Sequence, residues 1–270
     1  MLVVAVLVGV CVGITVAVVG GGGAALAVPA LVYLLGVAPR DATTVSLAVV
    51  AVAATIGLAA RVHKDRVRVG TGLMFAAVGL LGTYIGSAAA VTLDGDLLML
   101  GFAGVMVTSA GLLISYERHS GPTTAIPDTQ PGFRSRPDAA VATAVALGAI
   151  TGLFGVGAGA VAVPALVLVV RLPIPAAVTT SQLVIVVNGV MALMLRWDRG
   201  DVLVSPVVLA FGLAAALGAL GSARIDRRLR LSRSSRPIVA LLMIVAAAVA
   251  GLSLADWYGS LALYGSVAHP

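Results

Sequence analysis

Long apolar runs separated by short polar gaps make up most of this chain of 270 residues. Ten such runs can be marked, five in each half. They cover residues 2–19, 24–37, 42–60, 69–92, 97–115, 139–154, 159–170, 176–195, 202–222 and 237–254. A helix needs about 20 mostly apolar residues to cross a bilayer, whereas the strands of a membrane barrel alternate apolar and polar side chains. Because the runs are continuously apolar, the pattern predicts an all-α polytopic membrane protein.

Composition and charge narrow the class of protein. Hydrophobic residues make up 60% of the chain and charged residues only 10%, against about 25% charged residues in soluble domains. The basic residues that give the net charge of +6 lie in the gaps, where they set topology, so we expect no nucleic-acid partner. Cys11 is the only cysteine, and no run contains two acids. We therefore expect a multi-pass protein of the inner (plasma) membrane that is not an enzyme, with no catalytic residue, metal or cofactor.

The two halves of the chain repeat one sequence unit. Residues Gly20–Val32 have the sequence GGGGAALAVPALV and residues Gly155–Val167 have the sequence GVGAGAVAVPALV, an offset of 135 that continues without a gap. The offset pairs Pro29 with Pro164, Ala42 with Ala177, Thr44 with Thr179, and Ser46 with Ser181. Ala25-Leu26-Ala27 resembles a signal-peptide cleavage site. Since the same pattern recurs in mid-chain, we interpret it as part of a duplicated structural unit.

The repeat and the polar segment between its copies predict four regions. These are a first transmembrane repeat at 1–115, a cytoplasmic linker at 116–138, a second transmembrane repeat at 139–256 and an interfacial tail at 257–270. Each repeat contains five apolar segments, and the first two of each repeat form a pair interrupted by glycines. The sequence thus predicts that each half opens with a broken helical pair, which either spans the membrane fully or re-enters it.

Loop charge predicts how the two halves are oriented. Basic residues concentrate in the gap at 61–68, in the linker, and in the gap after the ninth run, and such loops face the cytoplasm. All three can be cytoplasmic if each opening pair returns to the side from which it enters. The five-segment repeats are then inverted relative to each other, as in many transporters, and Arg196 and Arg199 lie outside. An opening pair that crossed only once would instead put the gap with six arginines outside.

Glycines interrupt the apolar pattern at equivalent places in both halves. Four successive glycines cost about 0.8–1 kcal/mol each in a helix relative to alanine, so they predict a break. The short helix after such a break has unpaired N–H groups and a positive end, which suit an anion. The alternative is that these glycines only allow close helix packing. The predicted substrate-binding backbone comprises Gly20, Gly21, Gly22, Gly23 and Pro29 in the first half and Gly155, Gly157, Gly159 and Pro164 in the second.

These motifs resemble those of the TauE/SafE sulfite exporter family. The pattern is G-x-G-G-G, then an apolar x-P-x-L, then a helix with Ala-x-x-x-Ser. Both halves carry it, at Gly20–Leu31 with Ala42–Ser46 and at Gly155–Leu166 with Ala177–Ser181. The second copy departs from the pattern, because Val156 and Ala158 stand where the first copy has glycines. The resemblance implies a membrane permease for sulfite, organosulfonates or related small oxyanions.

Few polar side chains lie within the runs, and they cluster after the breaks. The candidates for completing an anion site are Thr44, Ser46, Thr180, Ser181, Gln182 and Asn188. Hydroxyl and amide groups supply the donors that an oxyanion needs. Serine and threonine also commonly bond back to their own helix, which is the structural alternative. A mid-span amide such as Asn188 needs a partner, and a substrate could supply it.

We expect a secondary transporter that exports small oxyanions through the bilayer. An anion channel and a structural or assembly subunit remain the alternatives, and the oligomeric state is left open. All ionisable side chains other than Cys11 and the tyrosines lie in or beside the gaps, whereas proton-driven pumps usually keep an acid or histidine within a span. We therefore expect efflux to follow the membrane potential.

Overall fold

The computed structural model describes residues 1–19, 24–61, 68–120, 137–155, 159–170, 172–196 and 205–229. Within these ranges all regular secondary structure is helical. The elements are α1 (Leu2–Val19), α2 (Ala27–Pro29, continuing as a π-helix over Ala30–Leu34), α3 (Pro39–Arg61), α4 (Val69–Thr92), α5 (Gly95–Ser120), α6 (Pro137–Phe154), α7 (Gly159–Leu168), α8 (Ile174–Met194) and α9 (Pro206–Leu229). The predicted all-α membrane class is confirmed.

Four of the described helices are long and apolar enough to cross a membrane. They cover Pro39–Ala60, Val69–Thr92, Pro137–Phe154 and Ala176–Met194. Shorter apolar helices cover Leu2–Ala17, Ala24–Leu34, Leu97–Leu112 and Pro206–Ser222. Large apolar side chains such as Leu81, Leu213 and Leu217 are exposed on the outside of the bundle. Such a surface suits contact with lipid tails.

Several helices extend past the ends of the predicted apolar runs. Helix α5 continues to Ser120, into the predicted linker, and α6 begins at Pro137. Helix α9 continues to Leu229 through part of the arginine-rich gap. In the sequence, an apolar run is taken to end at its first charged residues. The helix itself can continue beyond that point, because its backbone stays hydrogen-bonded while the charged side chains reach water. The tenth run, the tail and residues 121–136 of the linker lie outside the described residues.

The opening helix of each half packs against the fourth helix of the other half, α1 against α9 and α6 against α4. The two most extensive helix contacts are α1 with α9 and α4 with α6. Because α6 repeats α1 and α9 repeats α4, these two contacts are equivalent. Each therefore joins one half of the chain to the other.

Glycines bring the backbones of these pairs into direct contact. A Cβ on Gly82 would clash with the carbonyl oxygen of Val145, and one on Gly86 would clash with that of Ala149. Contacts on α4 and α6 advance together along both helices, so the two run parallel. Related clashes recur between α1 and α9, at Gly13 with the Ala215 carbonyl and at Gly218 with the Val10 carbonyl.

Helices α3 and α8, which are repeats of each other, cross in opposite directions. Thr43 near the start of α3 contacts Arg196 after the end of α8. Halfway along, Gly189 faces Ala51, whose Cβ would lie 3.6 Å from a Cβ on that glycine. Near the end of α3, Gly57 faces Gln182. Residue numbers rise on α3 as they fall on α8, so the pair is antiparallel.

The short helix after each break ends in the same way. Val37 N donates to Leu31 O at 3.0 Å, and Leu172 N donates to Leu166 O at 3.0 Å, the same bond displaced by 135 residues. In the first half Gly36 has a φ of 67°, the left-handed conformation that closes a helix C-terminus. The two copies thus share one backbone hydrogen bond at this turn.

Candidate functional site

The glycine breaks themselves are described only in part. Gly20, Gly21, Gly22, Gly23 and Gly157 lie outside the described residues. On either side of the first break, α1 ends at Val19 and a 3-10 turn begins at Ala24. In the second half, α6 ends at Phe154 and α7 begins at Gly159. The helical segments therefore end and restart where the glycine pattern predicts.

Gly155 is required by the conformation of the second break. Its φ of 69° is left-handed, and its N–H donates to Thr151 O at 3.0 Å, which closes the C-terminus of α6. A Cβ at this position would also clash with the carbonyl oxygen of Thr43 in the first turn of α3. The Gly155 carbonyl oxygen accepts a hydrogen bond from Ser46 Oγ. The break is thus held directly against the start of α3.

The two predicted prolines occupy different local structures. Pro29 is half-buried at the point where α2 continues as a π-helix. Pro164 is buried inside α7, where its missing N–H removes one intrahelical hydrogen bond. Both helices are consequently short, as the sequence predicts.

Most of the predicted hydroxyl groups bond to their own helix. Thr44 Oγ1 donates to Arg40 O at 3.4 Å. The single hydroxyl proton of Ser46 is shared between Gly155 O and Thr43 O, which lies 3.0 Å from Ser46 Oγ. Ser181 Oγ donates to Val178 O at 2.8 Å. These are the back-bonding patterns common for serine and threonine in membrane helices. Thr180 Oγ1 differs, since it is buried without a hydrogen-bond partner among the described residues.

Gln182 joins α8 to the end of α1. Its Nε2 donates to Ala17 O at 3.2 Å and to Val16 O at 3.4 Å. Its Oε1 is buried and accepts no hydrogen bond from the described part of the chain. The carboxamide fits there because Gly57 of α3 has no side chain, and a Cβ on Gly57 would lie 2.6 Å from Nε2.

Asn188 lies midway along α8 and is fully buried. Neither Oδ1 nor Nδ2 has a hydrogen-bond partner in the ranges that the structure describes. The amide faces Gly79 of α4, where a Cβ would lie 2.7 Å from Nδ2. An unsatisfied buried polar group costs about 1–3 kcal/mol, so native proteins rarely keep one without a reason.

The structure places the predicted side chains at three different depths in the bundle. Gln182 faces Gly57, which is eleven residues along α3 from Ser46. Eleven helical residues span about 16 Å, at 1.5 Å each. We name the end of the bundle where α3 begins and α8 ends the Arg196 end, and the opposite end the Gln182 end. Ser46 and Gly155 lie at the Arg196 end, Thr180 and Ser181 at the Gln182 end, and Asn188 between them.

Arg196 is a residue that the sequence interpretation placed in an outer loop. Its side chain is instead 5% exposed. Nη1 donates to Thr43 Oγ1 at 2.7 Å, and Nη2 donates to the Gly152 carbonyl oxygen. The 135-residue offset pairs Arg196 with Arg61 at the end of the equivalent helix. This pairing could have indicated from the sequence alone that Arg196 belongs to the repeated unit and not to a variable loop.

Side chains that commonly bind metal ions do not cluster among the described residues. No group of three or more histidine, cysteine, aspartate or glutamate side chains comes together in the part of the chain that the structure describes. The polar groups of the site are hydroxyls, carboxamides and one guanidinium, which bind anions and neutral polar molecules.

Comparison with known proteins assigns the chain to a family. The family described as "Sulfite exporter TauE/SafE" matches residues 5–250. A "Probable membrane transporter protein" of Xylella fastidiosa strain Temecula1 is 30% identical over 239 residues, covering 88% of this chain and 90% of the relative. A protein of the same name from strain 9a5c is 32% identical over 208 residues, covering 77% and 78%. No solved structure matches. The chain is therefore a multi-pass membrane transporter, not an enzyme, and it belongs to the sulfite exporter TauE/SafE family.

Proposed function

We propose that this transporter exports small oxyanions, such as sulfite or organosulfonates, as a secondary carrier of the inner membrane. The family name supports the oxyanion class. The observation that carries the proposal is the buried Asn188 carboxamide, whose donor and acceptor both lack a partner among the described residues. In a carrier, a substrate that passes through the bundle would satisfy these atoms.

The chemistry of Asn188 and its neighbours suits a small oxyanion. Asn188 Nδ2 can donate a hydrogen bond to an anionic oxygen, and a hydrogen bond to a charged group contributes about 1.5–3 kcal/mol. Thr180 Oγ1 is a second donor, nearer the start of α8, to which we assign about 0.5–1.5 kcal/mol, the value of an ordinary hydrogen bond. Asn188 Oδ1 and Gln182 Oε1 can accept from the proton of a partly protonated oxyanion. Donors and acceptors therefore follow one another along α8 without a fixed carboxylate, which would repel the cargo.

The second break offers backbone donors at the Arg196 end of the proposed path, beyond Asn188. Helix α7 begins four residues after Gly155, and the first N–H groups of a helix have no intrahelical partners. The positive end of its dipole favours an anion. The Ser46 hydrogen bond to Gly155 keeps this break beside α3. We propose that Gly20, Gly21, Gly22 and Gly23 supply the equivalent donors in the first half.

We infer that the two halves are inverted in the membrane and that the bundle alternates its access between two sides. The antiparallel crossing of the equivalent helices α3 and α8 supports inversion. Helix α3 ends at Arg61, at the Gln182 end, which the positive-inside rule assigns to the cytoplasm. The Arg196 end then faces the outside, and rocking of one half against the other would expose Asn188 to each side in turn.

We propose that the membrane potential drives efflux. A cytosol-negative potential favours the exit of an anion by about 2.3 kcal/mol per charge for each 100 mV. That corresponds to about 40-fold in concentration, since about 1.4 kcal/mol is tenfold. The test is efflux of radiolabelled sulfite from proteoliposomes under imposed potassium-diffusion potentials, with sulfate and an organosulfonate as competitors. Efflux that ignored the potential but followed a pH gradient would refute potential-driven transport.

The same assay tests Asn188. Asn188→Leu should slow sulfite efflux by about 10- to 150-fold, the equivalent of one hydrogen bond of about 1.5–3 kcal/mol to an anion. Ser109→Ala is the matched control, because Ser109 is also buried but donates to Val105 O on its own helix α5. That variant should transport like the wild type. Equal transport rates for Asn188→Leu and Ser109→Ala would show that Asn188 is not part of the binding site. The absence of any anion flux through the wild-type protein would reject the proposed function.

A further inference from the structure

We propose that the substrate bound at Asn188 is a monoanion with a hydrogen-bond donor of its own, so that sulfite crosses as hydrogen sulfite and not as the dianion. The inference rests on the proposed function of oxyanion transport and deepens it by naming the protonation state of the cargo. It is carried by a donor and an acceptor on one buried carboxamide, both without a partner among the described residues.

The Asn188 carboxamide needs two kinds of partner. The side chain is fully buried, and neither Nδ2 nor Oδ1 forms a hydrogen bond within the described ranges. A fully deprotonated oxyanion can accept a hydrogen bond from Nδ2, but it has no proton to donate to Oδ1. A substrate that carries one O–H or N–H group beside its anionic oxygens can satisfy both atoms.

The surroundings of the amide contain a further acceptor. A Cβ on Gly79 of α4 would lie 2.7 Å from Asn188 Nδ2 and 3.2 Å from the carbonyl oxygen of Ala144 in α6. The amide therefore lies where α4, α6 and α8 meet, close to a backbone carbonyl. A carbonyl oxygen has two lone pairs, and the hydrogen bond within its helix uses one of them. A substrate with a donor is attracted to such an oxygen, whereas a substrate with acceptors alone is repelled.

Ionisable side chains are kept away from Asn188 in the part of the chain that the structure describes. Helix α8 packs chiefly against α3, α4, α6 and α7, and neither α7 nor α8 contains an ionisable residue. The ionisable residues of the other three helices lie at helix ends or face outward: Arg40, Asp41 and Arg61 of α3, Asp138 of α6, and Tyr84 of α4, which is 60% exposed. Arg196 follows α8, eight residues or about 12 Å from Asn188.

A neutral amide in this environment favours the ion of smaller charge. The Born cost of removing an ion from water rises with the square of its charge, so a dianion costs about four times as much as a monoanion of the same size. Sulfite takes up one proton from water close to neutral pH. The uptake removes one negative charge and creates the O–H donor that Asn188 Oδ1 lacks. Hydrogen sulfite would release that proton to water again after it leaves the protein.

Sulfamate and methanesulfonate separate the effect of the donor from the effect of charge. Both are monoanions of similar size at neutral pH, and they differ in an amino or a methyl group on the sulfur. We expect sulfamate to inhibit efflux of radiolabelled sulfite from proteoliposomes at a concentration at least about tenfold lower, equivalent to about 1.4 kcal/mol. This preference should disappear in Asn188→Leu and persist in Ser109→Ala, whose hydroxyl bonds to its own helix.

The charge carried with each sulfite is measured in the same proteoliposomes, with equal pH on both sides. At an imposed potential of 100 mV, a monoanion equilibrates at a concentration ratio of about 40 and a dianion at about 1,600. We expect a ratio of about 40. At a fixed total sulfite concentration, efflux should rise as the pH is lowered through the second ionisation of sulfurous acid. Efflux of labelled sulfamate, which stays a monoanion, should not change, and protein-free liposomes correct for diffusion through lipid.

Three results would overturn the inference. They are equal inhibition by sulfamate and methanesulfonate in the wild type, an equilibrium ratio that corresponds to two charges, and an undiminished preference for sulfamate in Asn188→Leu. If Asn188→Leu cannot be purified, Gly79→Ala replaces it, because the new methyl would displace the same amide. Sulfite efflux by the wild type in any of these cases leaves the proposed function standing, whereas the absence of any anion flux rejects both.

Discussion

The contact between α4 and α8 and the contact between α9 and α3 are repeat equivalents that differ in polarity. In the first, Thr180 and Asn188 bury polar atoms without partners among the described residues. In the second, the equivalent positions of α3 are Val45 and Ala53, and both are fully buried. One duplicated scaffold therefore has one polar and one apolar helix contact.

The apolar contact indicates that the polar groups are not needed to build the fold. Val45 and Ala53 fill the same positions in the repeat without any hydrogen-bonding requirement. A buried amide without a partner lowers stability by about 1–3 kcal/mol, so leucine or alanine at Asn188 would give a more stable helix contact. We therefore propose that the polar groups of α8 serve transport, which would concentrate substrate binding in the second half.

Moving the amide from one contact to the other is the strongest test of this comparison. We expect Asn188→Ala to slow sulfite transport by about 10- to 150-fold, the value of one hydrogen bond to an anion. Adding Ala53→Asn in the same chain should not restore transport, since position 53 belongs to the apolar contact. The rates of the wild type, the two single variants and the double variant in proteoliposomes check this.

Two outcomes would contradict the comparison. Recovery of transport in the double variant would mean that either contact can serve the substrate. Wild-type transport by Asn188→Ala would mean that neither does. The Asn188→Ala protein should also be at least as resistant to thermal unfolding as the wild type, because the variant removes an unsatisfied buried amide.

A smaller effect is expected when the glycine of the polar contact is replaced by the alanine that stands at the equivalent position of the apolar contact. Gly79 faces Asn188, and its repeat equivalent is Ala214. In Gly79→Ala the new methyl would lie 2.7 Å from Asn188 Nδ2 and would displace the amide. Since small misplacements of binding groups can cost up to about 100-fold, we expect a loss of about tenfold in transport rate.

Gly104→Ala is the matched control for this variant. Gly104 is also within a helix, α5, and within the described ranges its Cβ position has no atom of another helix within 4 Å. The control should transport normally and gain up to about 1 kcal/mol in stability from its better helix propensity. A normal transport rate for Gly79→Ala would show that the amide does not need its present position.

The apolar pattern predicts the bounds of a helix well where the whole helix is apolar enough to lie in lipid. The predicted runs 2–19 and 69–92 coincide with α1 and α4. Helix ends were less well predicted, as at Ser120 of α5, because hydropathy falls before the backbone hydrogen bonds stop. The continuation of α2 as a π-helix had no signal in the apolar pattern, since the same residues suit either helix type.

The candidate site was predictable in composition but not in its geometry. The polar residues of α8 stood out in an apolar run, but sequence could not tell which hydroxyls bond to their own helix. Ser181 does and Thr180 does not. Hydropathy assigned Arg196 to a gap, and its burial depends on contacts with Thr43 and Gly152, distant in the chain. Such contacts follow from helix crossing, which a single sequence specifies only indirectly.

The smallest expected effect concerns Thr180, the second polar side chain of the α4–α8 contact. Thr180→Val reproduces the Val45 side chain of the apolar contact. The variant should transport sulfite about threefold more slowly, toward the lower end of about 0.5–1.5 kcal/mol per hydrogen bond. The loss is smaller than for Asn188 because Thr180 contributes one hydroxyl close to the start of α8, beside Gly72.

Val45→Thr is the reciprocal control and should leave the transport rate unchanged. A threonine there can bond to a carbonyl of its own helix, as Thr44 does to Arg40. The measurement is the initial rate of sulfite efflux at several substrate concentrations, with protein amount normalised in each preparation. If Thr180→Val transported like the wild type while Val45→Thr slowed transport, the substrate would not pass along the contact between α4 and α8. The substrate path would then have to be sought between α3 and α9.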